Sequence, residues 1–91
     1  MIALVKLVEL KVLDYPKLWL RFSDGREGVR DFSDVLAEGG AMVEPLVDPA
    51  MFARVFVQMG VPTWPNGFDL DAVALHQEMA EAGALRIPQV A

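Results

Sequence analysis

The chain has 91 residues, a net charge of −5 at neutral pH and no cysteine, and 54% of it is hydrophobic. That length allows one domain near the lower limit for an adequate core, and the missing cysteines exclude a disulfide framework and cysteine-based zinc sites. No stretch approaches the roughly 18 apolar residues that span a bilayer, and the apolar start, Met1 to Glu9, has no basic leader.

A cytoplasmic location with no membrane segment is therefore the expectation. Mean hydropathy is +0.33, high for a domain whose ratio of surface to volume leaves apolar groups uncovered. A small partner protein, a second copy of the chain, or both are expected to cover them. Charge is unevenly spread: residues 1–30 carry six basic side chains against four acids, and the remainder carries two against nine. Overall acidity disfavours non-specific nucleic-acid binding, which works by neutralising phosphates, and permits attraction between copies or to a basic partner.

Residues 4–13 read as a strand, with Val8, Leu10 and Val12 alternating with Glu9 and Lys11. Asp14-Tyr15-Pro16 ends it, because proline cannot donate to a ladder. Lys17 to Ser23 is a second strand, with Leu18, Leu20 and Phe22 on one face and Lys17, Trp19 and Arg21 on the other. Asp24-Gly25 follows and signals a two-residue type I′ hairpin. Such a loop pairs Ser23 with Arg26, Leu20 with Val29 and Trp19 with Arg30. Gly28 and Arg30 then join the Trp19 face, where a guanidinium can lie over the indole.

Residues 31–40 read as a short helix with Ser33 as its N-cap, Asp34 in its first turn and Gly39 at its end. After a bend at Glu44-Pro45-Leu46, Asp48 and Pro49 predict a single helical turn. Arg54 to Gln58 is a strand, Met59-Gly60 turns it, and Val61 to Trp64 returns, with Pro62 confining the return to an edge. Trp64-Pro65-Asn66-Gly67 fits a β-turn that latches this hairpin to the last helix, roughly residues 70–81. Asp69 or Asp71 caps that helix, Ala72, Leu75 and Met79 form its inner stripe, and Gly83 ends it. Residues 83–91 form a tail.

The order strand, strand, strand, helix, short helix, strand, strand, helix defines the fold class as α+β. One small domain over residues 1–91 is expected: a small antiparallel sheet from two hairpin units, packed with a C-terminal helix.

Phe22-Ser23-Asp24-Gly25, Pro45-Leu46-Val47-Asp48-Pro49, and Trp64-Pro65-Asn66-Gly67 with Asp69-Leu70 together carry a resemblance. The chain resembles a small bacterial family called domain of unknown function 2442, over about residues 4–78. The resemblance implies an α+β fold, no established enzymatic activity and no known cofactor. It also implies a second small protein encoded by a neighbouring gene, in an antitoxin-like pairing. Phe68, where the family more often has a small residue, and Pro62 depart from the pattern.

The inventory for chemistry is thin. His76 is the only histidine, and Ser23, Ser33 and Thr63 are the only hydroxyl nucleophiles of that class. Ser23 beside a turn and Ser33 at a helix start are ordinary structural posts, and His76 borders the apolar stripe of its helix. Asp69 and Asp71 are accounted for by helix capping, and no glycine-rich phosphate loop is present. A non-enzymatic chain with no catalytic, cofactor or metal residues is expected.

The candidate interaction surface is the hairpin face Lys17, Trp19, Arg21 and Arg30, joined by Asn66 and Phe68, which the turn leaves without an assigned partner. Three readings of that face stand open: core under the last helix, a protein interface anchored by Trp and Arg, or a platform for a nucleic-acid strand. The function expected first is a protein–protein interaction module, with a nucleic-acid-associated or regulatory domain as the alternative.

Overall fold

The computed structural model describes residues 4–88, so that the tail beyond residue 88 lies outside the described residues. Three strands, β1 (Leu7–Val12), β2 (Lys17–Phe22) and β3 (Glu27–Asp31), form an antiparallel sheet in the order β1-β2-β3. Leu18, Leu20 and Phe22 of the central strand alternate with Lys17, Trp19 and Arg21 and are fully buried. A second, two-stranded sheet pairs β4 (Phe56–Gln58) with β5 (Val61–Thr63). Its turn, Met59-Gly60, has positive φ at both residues, as a two-residue type I′ loop requires. The helices are α1 (Ser33–Glu38), α2 (Pro49–Phe52) and α3 (Ala72–Glu81), with a 3-10 turn over Glu44–Val47 where the sequence suggests only a bend. The expected α+β arrangement with a C-terminal helix is present. The fourth strand begins only at Phe56, because Arg54 and Val55 bond back to Met51 and Phe52 and extend the exit from α2.

Helix ends follow the local chemistry. Asp48 accepts the Ala50 N–H at 3.0 Å ahead of Pro49, and Asp71, not Asp69, accepts the Val73 N–H at 3.1 Å to start α3. Asp69 instead bridges Thr63 in a strand-like contact. Ser33 is not the cap of α1: Phe32 occupies that position, and the Asp31 carboxylate accepts from both the Ser33 N–H and its hydroxyl. The Ser33 hydroxyl is thus engaged as a donor to the carboxylate two residues upstream.

The first hairpin departs from its expected register by one residue. Leu20 faces Gly28, Trp19 faces Val29 and Leu18 faces Arg30. The connection is a three-residue loop, Ser23-Asp24-Gly25, closed by Gly25 N–H to Phe22 O at 2.9 Å and Phe22 N–H to Arg26 O at 2.9 Å. The Asp24 carboxylate accepts the Arg26 N–H at 3.0 Å, and of the two turn residues only Gly25 takes a positive φ, +86°. An Asp-Gly pair serves this type I turn with its glycine bulge as well as the type I′ turn. Because side chains alternate, a one-residue slip moves every β3 side chain to the other face. Gly28 and Arg30 therefore lie on the core side and Val29 lies beside Trp19.

The same loop recurs at Trp64-Pro65-Asn66-Gly67-Phe68, with Gly67 N–H to Trp64 O at 2.9 Å, Trp64 N–H to Phe68 O at 2.8 Å and φ of +91° at Gly67. It seats Trp64, whose indole N–H donates to Phe52 O at 2.9 Å inside a cluster with Phe32, Phe52 and Phe68. The latch expected of this stretch is therefore built through Trp64.

Beyond α3 the chain folds back over the sheet. Gly83 N–H bonds Ala80 O and Ala84 N–H bonds Met79 O, the paired bonds of a Schellman end. Arg86 then exchanges two 2.9 Å backbone hydrogen bonds with Glu27 and covers one edge of β3. The crossing passes directly over Gly28, where a Cβ would stand 2.0 Å from the Ala84 carbonyl oxygen.

Candidate functional site

The structure separates the residues that the sequence groups on one hairpin face. Lys17, Trp19 and Arg21 lie on the outer side of the sheet, away from α3. Trp19 is half-buried and not core: its indole donates to Glu27 at 3.1 Å and Lys11 sits 4.9 Å from its ring. Arg21 is paired with Glu9 at 2.7 Å. This face thus interleaves acids with its bases.

Arg30, on the core side, reaches under α3. Its guanidinium forks onto Asp34 at 2.9 and 3.2 Å, bonds Glu78 at 3.1 Å, lies 5.1 Å from the Phe32 ring and also donates to the Asp31 carbonyl. A planar five-donor guanidinium suits such a clasp, which ties β3 to α1 and α3. Its side chain is only 17% exposed.

Asn66 and Phe68 acquire partners. The Asn66 amide donates to Met42 O at 2.8 Å and its oxygen accepts the Phe68 N–H at 3.2 Å. Phe68 packs at 5.6 Å on Trp64, with part of its surface left uncovered. That open part and the Arg30 clasp border one concavity.

A groove of about 360 Å³ runs between α1 and α3. Its floor is apolar, from Val35, Val43, Phe68, Leu70 and Leu75, and its rim carries Asp34, Glu38, Asp71 and Glu78. Asp34 and Glu78 are partly neutralised by Arg30, whereas Glu38 and Asp71 have no cation in ion-pair range among the described residues. An apolar trough with an acidic rim favours a ligand that is apolar along its centre and basic at its edges.

Phe68 and Arg30 are the only members of this groove that the sequence singles out for binding. Val35, Glu38, Leu70 and Glu78 are missed because loops and strands separate them along the chain. One signal was available: Arg30 and Asp34 stand four apart across the strand-to-helix junction.

Electrostatics reinforce the clasp. The hydrogen bond from Arg30 holds the Asp34 carboxyl below its usual range despite partial burial, and the Asp34 hydrogen bond correspondingly raises Arg30. For Asp24, burial pushes upward, but the Arg26 N–H and the His76 ring at 2.7 Å outweigh it and lower the carboxyl. Bonds from Ser33 lower Asp31. Folded-state values below the unfolded ones give stability that is present above the unfolded pKa and lost as pH falls through the folded value. The urea midpoint is therefore expected to hold from neutral pH to about pH 5 and to decline below about pH 4. Asp34→Asn should make that decline shallower; a midpoint insensitive to acid in the parent chain would contradict the assignment.

A small α+β domain with an acidic helix–helix groove is the class that fold and site define; among the described residues no helix is long and apolar enough to cross a membrane. The chain belongs to the family described as Protein of unknown function (DUF2442), whose model matches residues 7–79. No curated protein and no solved structure matches it.

Proposed function

We propose that the chain is a non-enzymatic, cytoplasmic interaction module whose α1–α3 groove receives a basic, partly apolar segment of a small partner protein. It would act as the antitoxin-like half of a two-protein pair. The observation that carries this reading is the acidic rim around an apolar floor, with Glu38 and Asp71 unneutralised among the described residues. The acidity of residues 31–91 and the high apolar content of so small a chain point the same way. The alternative, a nucleic-acid strand on the hairpin face, loses its motivating feature: Arg30 lies on the opposite side and Arg21 is paired with Glu9.

The test is co-expression with the product of the neighbouring gene, followed by affinity measurement on the purified pair. Glu38 and Ala74 line the groove and are both exposed, so Glu38→Lys with Ala74→Arg alters the groove without entering the core. The double variant is expected to bind at least roughly tenfold more weakly while its urea midpoint stays within experimental error of the parent. An unchanged affinity would remove the groove from the account.

A further inference from the structure

The two edges of the three-stranded sheet are treated differently. On β3, Glu27 is covered by the Arg86 backbone. On β1, Leu7 N–H is taken by Gly60 O at 2.8 Å, but past that point β1 is the edge of its sheet among the described residues. Leu13 N–H points inward to Lys17 O, so by antiparallel alternation Lys11 and Glu9 also point inward, and the backbone groups of Leu10 and Val12 point outward. Exposed edges of this kind pair readily with another strand. Apolar surface flanks this one, with Val8 48%, Val12 39% and Leu13 41% exposed.

We infer that this edge pairs with the same edge of a second copy, antiparallel and centred on Leu10, to form a continuous six-stranded sheet. The register follows from charge. Outward-pointing residues must pair with outward-pointing residues, which allows centres on Leu10, Lys11 or Val12. A centre on Lys11 opposes two lysines at the closest approach of the strands. A centre on Val12 sets Lys11 opposite Leu13. The centre on Leu10 sets Glu9 opposite the second copy's Lys11 at both ends of the seam, within the regular part of β1, and brings Val12 beside the bulged Val8. Glu9 meets Arg21 through one carboxylate oxygen only, which leaves the other for the new partner. A lysine on an edge strand ordinarily guards against pairing; here Glu9, two residues earlier, complements it. This surface lies apart from the α1–α3 groove, and either can fail without the other.

The chain has no cysteine, which permits a register test. Glu9→Cys and Lys11→Cys are made separately and oxidised mildly, alone and mixed. The proposed pairing brings their Cα atoms to about 4.5 Å, inside disulfide range. A disulfide-linked dimer is expected from the mixture and not from either variant alone. The unmodified chain is expected at twice its 10.0 kDa mass in solution, and Lys11→Glu is expected to weaken that dimer by roughly tenfold or more. A monomer at all concentrations, or equal cross-linking by the single variants, would overturn the inference.

Discussion

Gly28→Ala is expected to cost about 3 kcal/mol of folding stability, although the change adds one methyl group. The added carbon would stand 2.0 Å from the Ala84 carbonyl oxygen and 3.2 Å from the terminal methyl of Met79. Met79 can rotate aside, but Ala84 cannot yield cheaply. Its N–H closes the end of α3 on Met79 O, and two residues later Arg86 is bonded on both sides to Glu27. Relief of the clash requires the segment after Gly83 to lift from β3, which breaks those bonds and uncovers Met79. A domain of this size holds roughly 5–15 kcal/mol in total, so the loss is a large share. Urea denaturation measures it, and faster hydrogen exchange at the Glu27 and Arg86 amides is expected alongside. A variant with an unchanged midpoint would show that the tail does not cross where the structure places it.

The second large effect separates the two tryptophans. Trp64→Ala is expected to cost about 4 kcal/mol, because a fully buried indole leaves a cavity that the rigid latch cannot close. Trp64 is 1% exposed, touches Phe32, Phe52 and Phe68, and donates to the Phe52 carbonyl. Trp19→Ala removes a half-exposed ring, its bond to Glu27 and its contact with Lys11, and is expected to cost about 1 kcal/mol. Equal losses in parallel urea titrations would contradict this division. Only Trp64 directly precedes a three-residue loop with a glycine at positive φ, and its side chain is buried there.

This contrast also shows what the sequence could convey. Alternation of Leu18, Leu20 and Phe22, the Asp48-Pro49 cap and the Gly83 stop are local rules, and each is legible because its physical partner lies within a few residues. The placement of Arg30 was not legible. Asp24-Gly25 serves two loop lengths, and the contacts that go with the observed one, such as the Arg30 clasp and the crossing of Ala84 over Gly28, are distant in the chain. A clue was nevertheless present, since Phe22-Ser23-Asp24-Gly25-Arg26 and Trp64-Pro65-Asn66-Gly67-Phe68 share one loop design, and a two-residue loop at Asn66-Gly67 would require Pro65 to donate an N–H that it lacks. The groove was legible only in fragments. Its floor joins Val35, Phe68 and Leu75, which local periodicity assigns to three separate elements, and only the tertiary fold sets them side by side.

Gly28 acts on the groove only indirectly. By letting the chain after α3 settle on β3, it fixes α3 where Glu78 meets Arg30 and where Leu75 closes the floor. The sheet, the clasp and the groove are therefore one mechanical unit, and lifting the tail is expected to open the groove as it lowers stability.

An NMR titration of the isotope-labelled chain with the purified product of the neighbouring gene tests directly whether the α1–α3 groove receives the partner. The expected result is amide shifts concentrated at Val35, Glu38, Phe68, Leu70 and Leu75, weakening as salt rises. Shifts confined instead to Lys17, Trp19 and Arg21 on the outer face of the sheet would contradict it.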